Sequence, residues 1–410
     1  MSKNDKKAAR LPRGQRVFVG MSGGVDSSVA AYLLKKQGFN VTGVFLRCYN
    51  IDGCAERDAI DARRVAEKIG ILFYVWDFEE EYKKKVVDYM IEGYKNGITP
   101  NPDVMCNREI KFGLFFKKAL EVGADFVAMG HYVRLERNFK FPISNFKTIK
   151  NLEIKSKFKI NNLKFRLLQA KDLNKDQTYF LWTLTQDDLK HCLFPIGDYL
   201  KSEVREIARA IGLPTAEKKD SQGICFLGKV SLDEFLSNYL PTKQGDVFNL
   251  SGEKIGSHFG AHFYTIGQRH ANIVYEADKA RPDMKPRYVV GKNVKTNAIT
   301  VVEGDYAPEL YKKEIELMDV NFINPQHSNI LQNVGMLPVL ARVRYRQPLV
   351  PANLKLINLK TYKLIFASPQ KFIAPGQSAV FYEAGETCGE QGRTTCGEQG
   401  RTMLGGGVIE

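Results

Sequence analysis

The 410-residue sequence predicts an α/β protein, a parallel sheet with covering helices followed by a small β region and a C-terminal antiparallel β-barrel. Three observations carry this. Apolar β-branched runs alternate with amphipathic stretches through the first half of the chain, and a glycine-rich turn joins the first strand to the first helix. Beyond Ser231 helix-length periodicity gives way to short alternating runs separated by turns.

Val17-Phe18-Val19 reads as the first strand and Val29 to Gln37 as part of an amphipathic helix. Between them lie Gly20, Met21, Ser22, Gly23, Gly24, Val25, Asp26, Ser27 and Ser28. Glycines there let backbone N–H groups approach an anion, hydroxyls donate, and a helix N-terminus adds partial positive charge. No lysine follows the glycines, so this is not the Lys-bearing phosphate loop. It resembles the pyrophosphate loop of ATP pyrophosphatases. Val41 to Leu46 is a buried strand. Ala55, Ala59, Ala62, Ala66 and Ile69 then draw one helix face that Gly70 ends. Leu72 to Trp76 and Phe126 to Met129 are further strands, the last ending at Gly130-His131-Tyr132. Ligands of such sheets sit at the carboxyl ends of the strands, so the phosphate loop, Leu46 and Gly130 are expected to share one crevice. Leu240-Pro241 and the glycine-rich Gln244 to Gly260 mark a boundary. Val339 to Tyr345, Leu354 with Leu356, and Leu364 with Phe366 read as barrel strands. The expected domains are a basic disordered arm (1–15), a catalytic α/β domain (16–228) with an insertion at 138–162, a central β domain (229–290) and a barrel (291–410). The octapeptide TCGEQGRT stands twice, over 387–402, and is expected to bulge from a barrel hairpin.

With 44% hydrophobic and 26% charged residues the composition is that of a globular chain. Sixty Lys and Arg against 46 Asp and Glu leave a net +14, which suggests a polyanionic partner such as nucleic acid. No apolar run approaches the roughly 18 residues of a membrane span, and the basic N-terminus lacks the apolar core of a signal peptide. Seven scattered cysteines argue against a disulfide framework and for a reducing, cytoplasmic setting. Neither Cys48 with Cys54 nor Cys388 with Cys396 has the spacing of a close metal-ligand pair, and Cys192 reads as core. Cys106 follows the proline-stiffened Thr99 to Val104, ahead of a helix expected to start near Arg108. Cys225 lies in a glycine-containing loop after Lys219-Asp220. Each is either a nucleophilic thiolate or a small buried hydrophobe. His131 either takes part in chemistry or shapes the nucleotide pocket.

Eight segments in order, Ser22-Gly23-Gly24-Val25-Asp26-Ser27, Thr99 to Cys106, Gly130 to Tyr132, Asn174 to Leu181, Lys219 to Phe226, Thr265 to Arg269, Arg344 to Arg346 and Pro375 to Tyr382, are similar to those of the bacterial tRNA 2-thiouridylases, the MnmA family. The resemblance runs from Arg16 to the end of the sequence. It implies ATP held by Gly20 to Ser27, with Leu46 and Gly130 lining the nucleotide pocket. Asn101, Pro102 and Asp103 would recognise a flipped wobble uridine, while Lys175, Asp176, Gln177, Arg344 and Tyr345 would touch tRNA. Cys225 resembles the persulfide carrier and Cys106 its partner thiol, which either supplies a proton or attacks the persulfide to release its outer sulfur, leaving a Cys106–Cys225 disulfide. Asp26 would be a magnesium ligand or base, a reading compatible with a helix-capping role. The implied partners are tRNA and a persulfide donor, either a cysteine desulfurase or a sulfur-relay protein, and the cofactors ATP and Mg²⁺. Two rival classes share some of these features. An amidating PP-loop synthetase of argininosuccinate or lysidine type needs neither cysteine, and a non-catalytic RNA-binding protein needs no intact Ser22, Asp26 and Ser27.

Overall fold

The computed structural model describes residues 14–49, 51, 53–137, 165–220, 224, 226–228, 230–269, 272–275, 285–384 and 400–410. The insertion at 138–162, nearly all of the octapeptide repeat and Cys225 lie outside them.

Strands β1 (Arg16–Gly20), β2 (Asn40–Arg47), β3 (Leu72–Asp77), β4 (Phe126–Ala128), β5 (Val133–Arg137), β6 (Phe165–Gln169) and β7 (Cys192–Leu193) belong to the first domain. Five of them form one sheet in the order β3-β2-β1-β4-β7, parallel throughout, and β5 pairs with β6 as a separate hairpin. The chain moves outward from β1 in one direction through β2 and β3, then returns to its other side at β4. The switch point therefore lies between the carboxyl ends of β1 and β4. Val17, Val19, Val44 and Ala128 are fully buried, as expected of strands covered on both faces. Helices α1 (Val25–Lys36) and α2 (Cys54–Ile69) follow β1 and β2, and Gly70 closes α2 in a left-handed conformation at φ 65°.

The central sheet comprises β8 (Gly245–Phe248), β9 (Lys254–His258), β10 (Val274–Tyr275), β11 (Arg287–Asn293) and β12 (Ala298–Glu303), ordered β10-β9-β8-β12-β11. Its only parallel contact among the described residues is β8 with β12. The expected boundary at 290/291 therefore cuts through this sheet. Val289 pairs with Val301 and Lys292 with Ile299, so the central unit extends to Glu303.

The barrel proper starts at Tyr311. Strands β13 (Tyr311–Phe322), β14 (Met336–Arg342), β15 (Val350–Leu356), β16 (Tyr362–Lys371), β17 (Ser378–Glu383) and β18 (Met403–Ile409) close in the order β13-β16-β15-β14-β17-β18. Leu317, Ala341, Leu354, Leu364 and Phe381 are each fully buried and alternate with outward residues, which is what a filled small barrel requires. No helix among the described residues is long and apolar enough to cross a membrane.

Polar contacts bind the three units into one body. The Thr99 N–H donates to the Pro375 carbonyl at 2.8 Å, and the Gln377 amide donates to the carbonyls of Thr99 and Pro100 at 3.0 and 3.1 Å. Thr99 also meets Thr265 of the central domain, hydroxyl to hydroxyl, at 3.1 Å. Two loops far apart in sequence thus hold the Thr99-Pro100-Asn101 segment.

Candidate active site

The glycine-rich loop folds as an open anion cradle. Gly24 is the N-cap of α1 and contributes no side-chain bond, so no cap residue's side chain accepts from the first-turn N–H groups. Ser22 and Ser27 bring their hydroxyls within 3.3 Å of each other, and the Ser22 N–H donates to the Ser27 hydroxyl at 3.1 Å. Gly23 has φ 71°, and a Cβ there would lie 2.4 Å from the Asp58 carbonyl oxygen, so only glycine fits. Gly130 packs its bare Cα onto the turn of α1, where a Cβ would approach the Ser27 nitrogen to 2.6 Å. The loop and Gly130 thus meet at the switch point. Leu46, half-buried near the end of β2, pairs with Trp76 on the neighbouring strand.

Asp26 lies in the first turn of α1, but capping is not its role. Its carboxylate accepts from the Tyr132 hydroxyl at 2.8 Å and from the Lys201 ammonium at 2.7 and 2.8 Å. Lys201, on the helix Lys201–Ala210, also contacts Asp220 at 2.8 Å. Lys175 and Arg205 meet that same Asp220 at 2.7 and 2.8 Å. Burial works against ionisation of Asp220, yet its hydrogen bonds from Lys175 and Lys201 bring its pKa down to about 2. Burial and the adjacent Asp26 charge raise the Tyr132 phenol well above its ordinary value, so it donates to Asp26 as a neutral group.

Sequence reasoning left Tyr132, Lys201, Arg205 and Asp220 without roles. Tyr132 and Asp220 stand inside recognised segments, whereas Lys201 belongs to no motif. Its only local signal is a lysine opening an amphipathic helix.

Cys106 is not in a loop ahead of a helix starting near Arg108. The helix begins at Pro102, capped by Asn101, whose side-chain oxygen accepts from the Val104 N–H at 3.2 Å. It continues from Cys106 to Phe115 in wider π-type turns. Cys106 is therefore one turn inside the helix and only 4% exposed. Asn101 and Pro102 are buried, and burial raises the carboxyl pKa of half-buried Asp103 above its ordinary value, with Lys111 opposing. Cys225 is outside the described residues, but its neighbour Phe226 is 2% exposed, with ring centroids 5.8 Å from Tyr82 and 5.6 Å from Phe235. Phe226 and Cys106 belong to one contiguous apolar cluster. Cys192 is core, as expected, and burial raises its thiol pKa above the ordinary range.

His131 is buried between Phe112 and Phe194, with ring centroids 5.9 and 6.4 Å away. Burial lowers its pKa well below the ordinary value and keeps the ring neutral.

The residues expected to touch tRNA divide sharply. Asp176 is 1% exposed and ion-paired to Arg342 at 2.8 Å. It also accepts from the Thr178 hydroxyl and the Ala170 N–H. A carboxylate so enclosed has no face left for RNA, and the tRNA-contact role expected for it gives way to joining the first domain to the barrel. Gln177 is half-buried and exchanges bonds with the Tyr132 backbone, its side chain accepting at 2.9 Å and its N–H donating at 3.0 Å. Arg344 and Tyr345 lie just past β14. Arg344 donates to the Ile266 carbonyl at 3.1 Å, and the Tyr345 ring lies 4.6 Å from that of Phe180. Asn107 donates to the carbonyls of both Asp103 and Phe180 at 3.0 and 3.4 Å. The Asn101–Asp103 segment and Arg344–Tyr345 thus converge around Phe180.

A parallel sheet with this Ser-Gly-Gly-Val-Asp-Ser cradle at its switch point defines an ATP-using PP-loop protein, here followed by two β domains. Family models match all three units: tRNA methyl transferase HUP domain over 15–229, tRNA methyl transferase PRC-barrel domain over 233–303 and aminomethyltransferase beta-barrel domain over 312–390. The chain is 42% identical over 378 residues to tRNA-specific 2-thiouridylase MnmA of Staphylococcus aureus strain JH9, covering 91% of this chain and 93% of that one. The same figures hold for the protein of strain Newman. The chain belongs to the tRNA-specific 2-thiouridylase family. Solved structures with some likeness include NMN synthetase from Francisella tularensis, at TM-score 0.31 and 16% identity over 51% of this chain and 67% of that one. Another is a 4-thiouridine synthetase–RNA complex with bound ATP, at TM-score 0.30 and 15% identity over 56% and 51%. Both are too distant to inform the site.

Proposed function

We propose that this chain is an enzyme that adenylates the wobble uridine of tRNA at the expense of ATP and replaces its 2-oxygen with sulfur. The observation that carries the reading is the placement of Asp26, held by Lys201 and Tyr132 beside the uncapped N-terminus of α1 at the sheet's switch point. That arrangement offers N–H groups and hydroxyls to phosphates, with an ammonium adjacent for the charge that develops on pyrophosphate. The uridine oxygen attacks the α-phosphorus, pyrophosphate leaves, and the oxygen that was a poor leaving group becomes part of AMP.

No group of three or more acidic, histidine or cysteine side chains forms a metal cage among the described residues. Asp26, whose carboxylate borders the phosphate cradle, would share in holding Mg²⁺ that comes with the nucleotide, and the ion would neutralise phosphate charge there. Cys225 carries the persulfide. The Cys106 thiolate attacks its inner sulfur, forming a Cys106–Cys225 disulfide and releasing hydrosulfide, which adds to carbon 2 as AMP departs. An external dithiol then restores both thiols in a two-electron reduction. Extrusion of the base lets buried groups such as Asn101 and Asp103 reach it. Lys175, Arg344 and Tyr345 supply tRNA contacts, and a persulfide-bearing donor protein reloads Cys225.

The test is mass analysis of nucleosides from tRNA incubated with the protein, ATP, Mg²⁺ and a persulfide source. The expected product is 2-thiouridine at the wobble position with AMP and pyrophosphate. Formation of AMP with an amide or amidine product, or of no nucleotide product, would overturn the reading.

A further inference from the structure

Among the described residues, four that are not glycine have positive φ: Asn297, Asp319, Arg346 and Phe372. Asn and Asp visit this region readily, and Arg346 sits in the exposed turn after Tyr345. Phe372 is different. Aromatic side chains are rare at φ 60°, and a conformation of that kind persists only where surrounding contacts impose it. Here those contacts come from two domains.

Phe372 follows the last residue of β16, and its N–H donates to the Leu310 carbonyl at 2.9 Å. Its ring stacks on Tyr288 of the central sheet, with centroids 5.2 Å apart and planes 29° from parallel. On another side lies Gly267, where a Cβ would stand 2.5 Å from the Phe372 Cβ. The Arg344 guanidinium lies 5.3 Å from the ring centroid, and the Lys371 ammonium 4.5 Å. Arg344 is in turn anchored to Ile266, next to Gly267. One strained ring therefore touches the central-domain loop and the arginine that leans on that loop.

We propose that Phe372 is a positioning residue for tRNA. Its ring fixes the Thr265–Arg269 loop against the barrel and aims Arg344 at a tRNA phosphate. The ring supplies a π face that orients the guanidinium, which pairs with no carboxylate among the described residues, so the charge stays available to an incoming anion. A glycine at 372 would relax the backbone and release Arg344 together. This rests on the tRNA-contact role proposed above for Arg344.

The experiment uses the full-length protein and compares Phe372→Gly, Phe372→Tyr, Arg344→Gln and the Phe372→Gly/Arg344→Gln double variant. Thermal melts confirm folding. Equilibrium binding of unmodified tRNA is followed against salt, and steady-state thiolation gives KM and kcat. Phe372→Gly is expected to raise the tRNA Kd and KM about tenfold, to flatten the plot of log K against log salt by about one unit, and to leave kcat at saturating tRNA within about twofold. Phe372→Tyr is expected to restore wild-type values. Phe372→Gly added to Arg344→Gln is expected to cost nothing further. Losses that multiply in the double variant, a fall in kcat with KM unchanged, or a lowered melting temperature with unchanged tRNA affinity would each overturn the proposal. The binding cycle needs no turnover, so absence of thiolation by the wild type sinks the proposed activity separately.

Discussion

The Lys201 ammonium lies between two carboxylates, 2.7 Å from Asp26 and 2.8 Å from Asp220. The first stands in the phosphate cradle and the second five residues before Cys225. One cation thus joins the nucleotide side of the crevice to the segment leading to the sulfur side.

Removing either member of the first pair is expected to abolish activation. Asp26→Ala and Lys201→Ala should each lower tRNA-dependent pyrophosphate release by about 100- to 1,000-fold, the usual cost of losing a group placed where charge develops. The Asp26→Ala melting curve should stay near wild type, since its side chain is about a third exposed, and Lys201→Ala is compared as folded protein. Near-normal AMP formation by a folded Asp26→Ala protein would remove this residue from the mechanism.

Acid stability follows from Asp220. Its pKa falls from an ordinary 3.8 to about 2 in the folded protein. The unfolded chain therefore binds this proton first as pH drops, and the stabilisation is complete above about pH 4 and lost on the way down to about pH 2. Asp220→Asn should flatten the dependence of the urea midpoint on pH within that window and leave its slope above pH 5 unchanged.

Asp176 and Arg342 are expected to matter for stability more than for RNA. Their side chains are 0% and 5% exposed. Removing one partner of such a pair leaves an uncompensated buried charge, at a cost of about 3–5 kcal/mol. Arg342→Met should show this as a lower urea midpoint. Asp176→Asn/Arg342→Met should recover part of it. Both proteins, compared when folded, should bind tRNA with affinities within about twofold of wild type.

The two cysteines should separate by stage. Cys225→Ser should form adenylated tRNA and accept no sulfur, whereas Cys106→Ser should take a persulfide onto Cys225 and stall at transfer. Wild-type protein turned over once without reductant should yield the Cys106–Cys225 disulfide in a peptide map. A persulfide found on Cys48 or Cys54 would reassign the carrier.

Local pattern made much of this molecule readable. The β1 cradle, α2 with its Gly70 stop and the barrel alternation at Leu354, Leu364 and Phe366 each follow from spacing within one element. Most of the failures depend on a partner distant in sequence, while the helix start at Pro102 is a local capping signal that the loop reading passes over. Pro100 and Pro102 read as loop punctuation, yet Asn101 and Pro102 are the cap and first position of the helix that buries Cys106. Asp176 reads as a surface charge until Arg342, 166 residues away, is brought against it. The domain boundary slipped because β11 and β12 have the short alternating pattern of any barrel strand. Only the pairing of Ile299 with Val247 places them in the central sheet. Lys201 had no local pattern to announce it.

The pairing of β17 with β18 bears on the duplicated octapeptide. Ser378 to Tyr382 are matched to Val408 through Met403, and the Glu383 N–H donates to the Thr402 carbonyl at 2.9 Å, so the barrel is laced shut before the connection between these strands begins. Doubling the length of a loop adds only about 0.6 kcal/mol to the entropy of closing it. The β17–β18 register is fixed by pairs on the strand side of the repeat and does not depend on the repeat's length. Arg401 and Thr402, which close the second TCGEQGRT copy, are bonded to Gln169 and Glu383, so a protein engineer placing an affinity handle or a fluorophore here would exchange the first copy and keep these two residues.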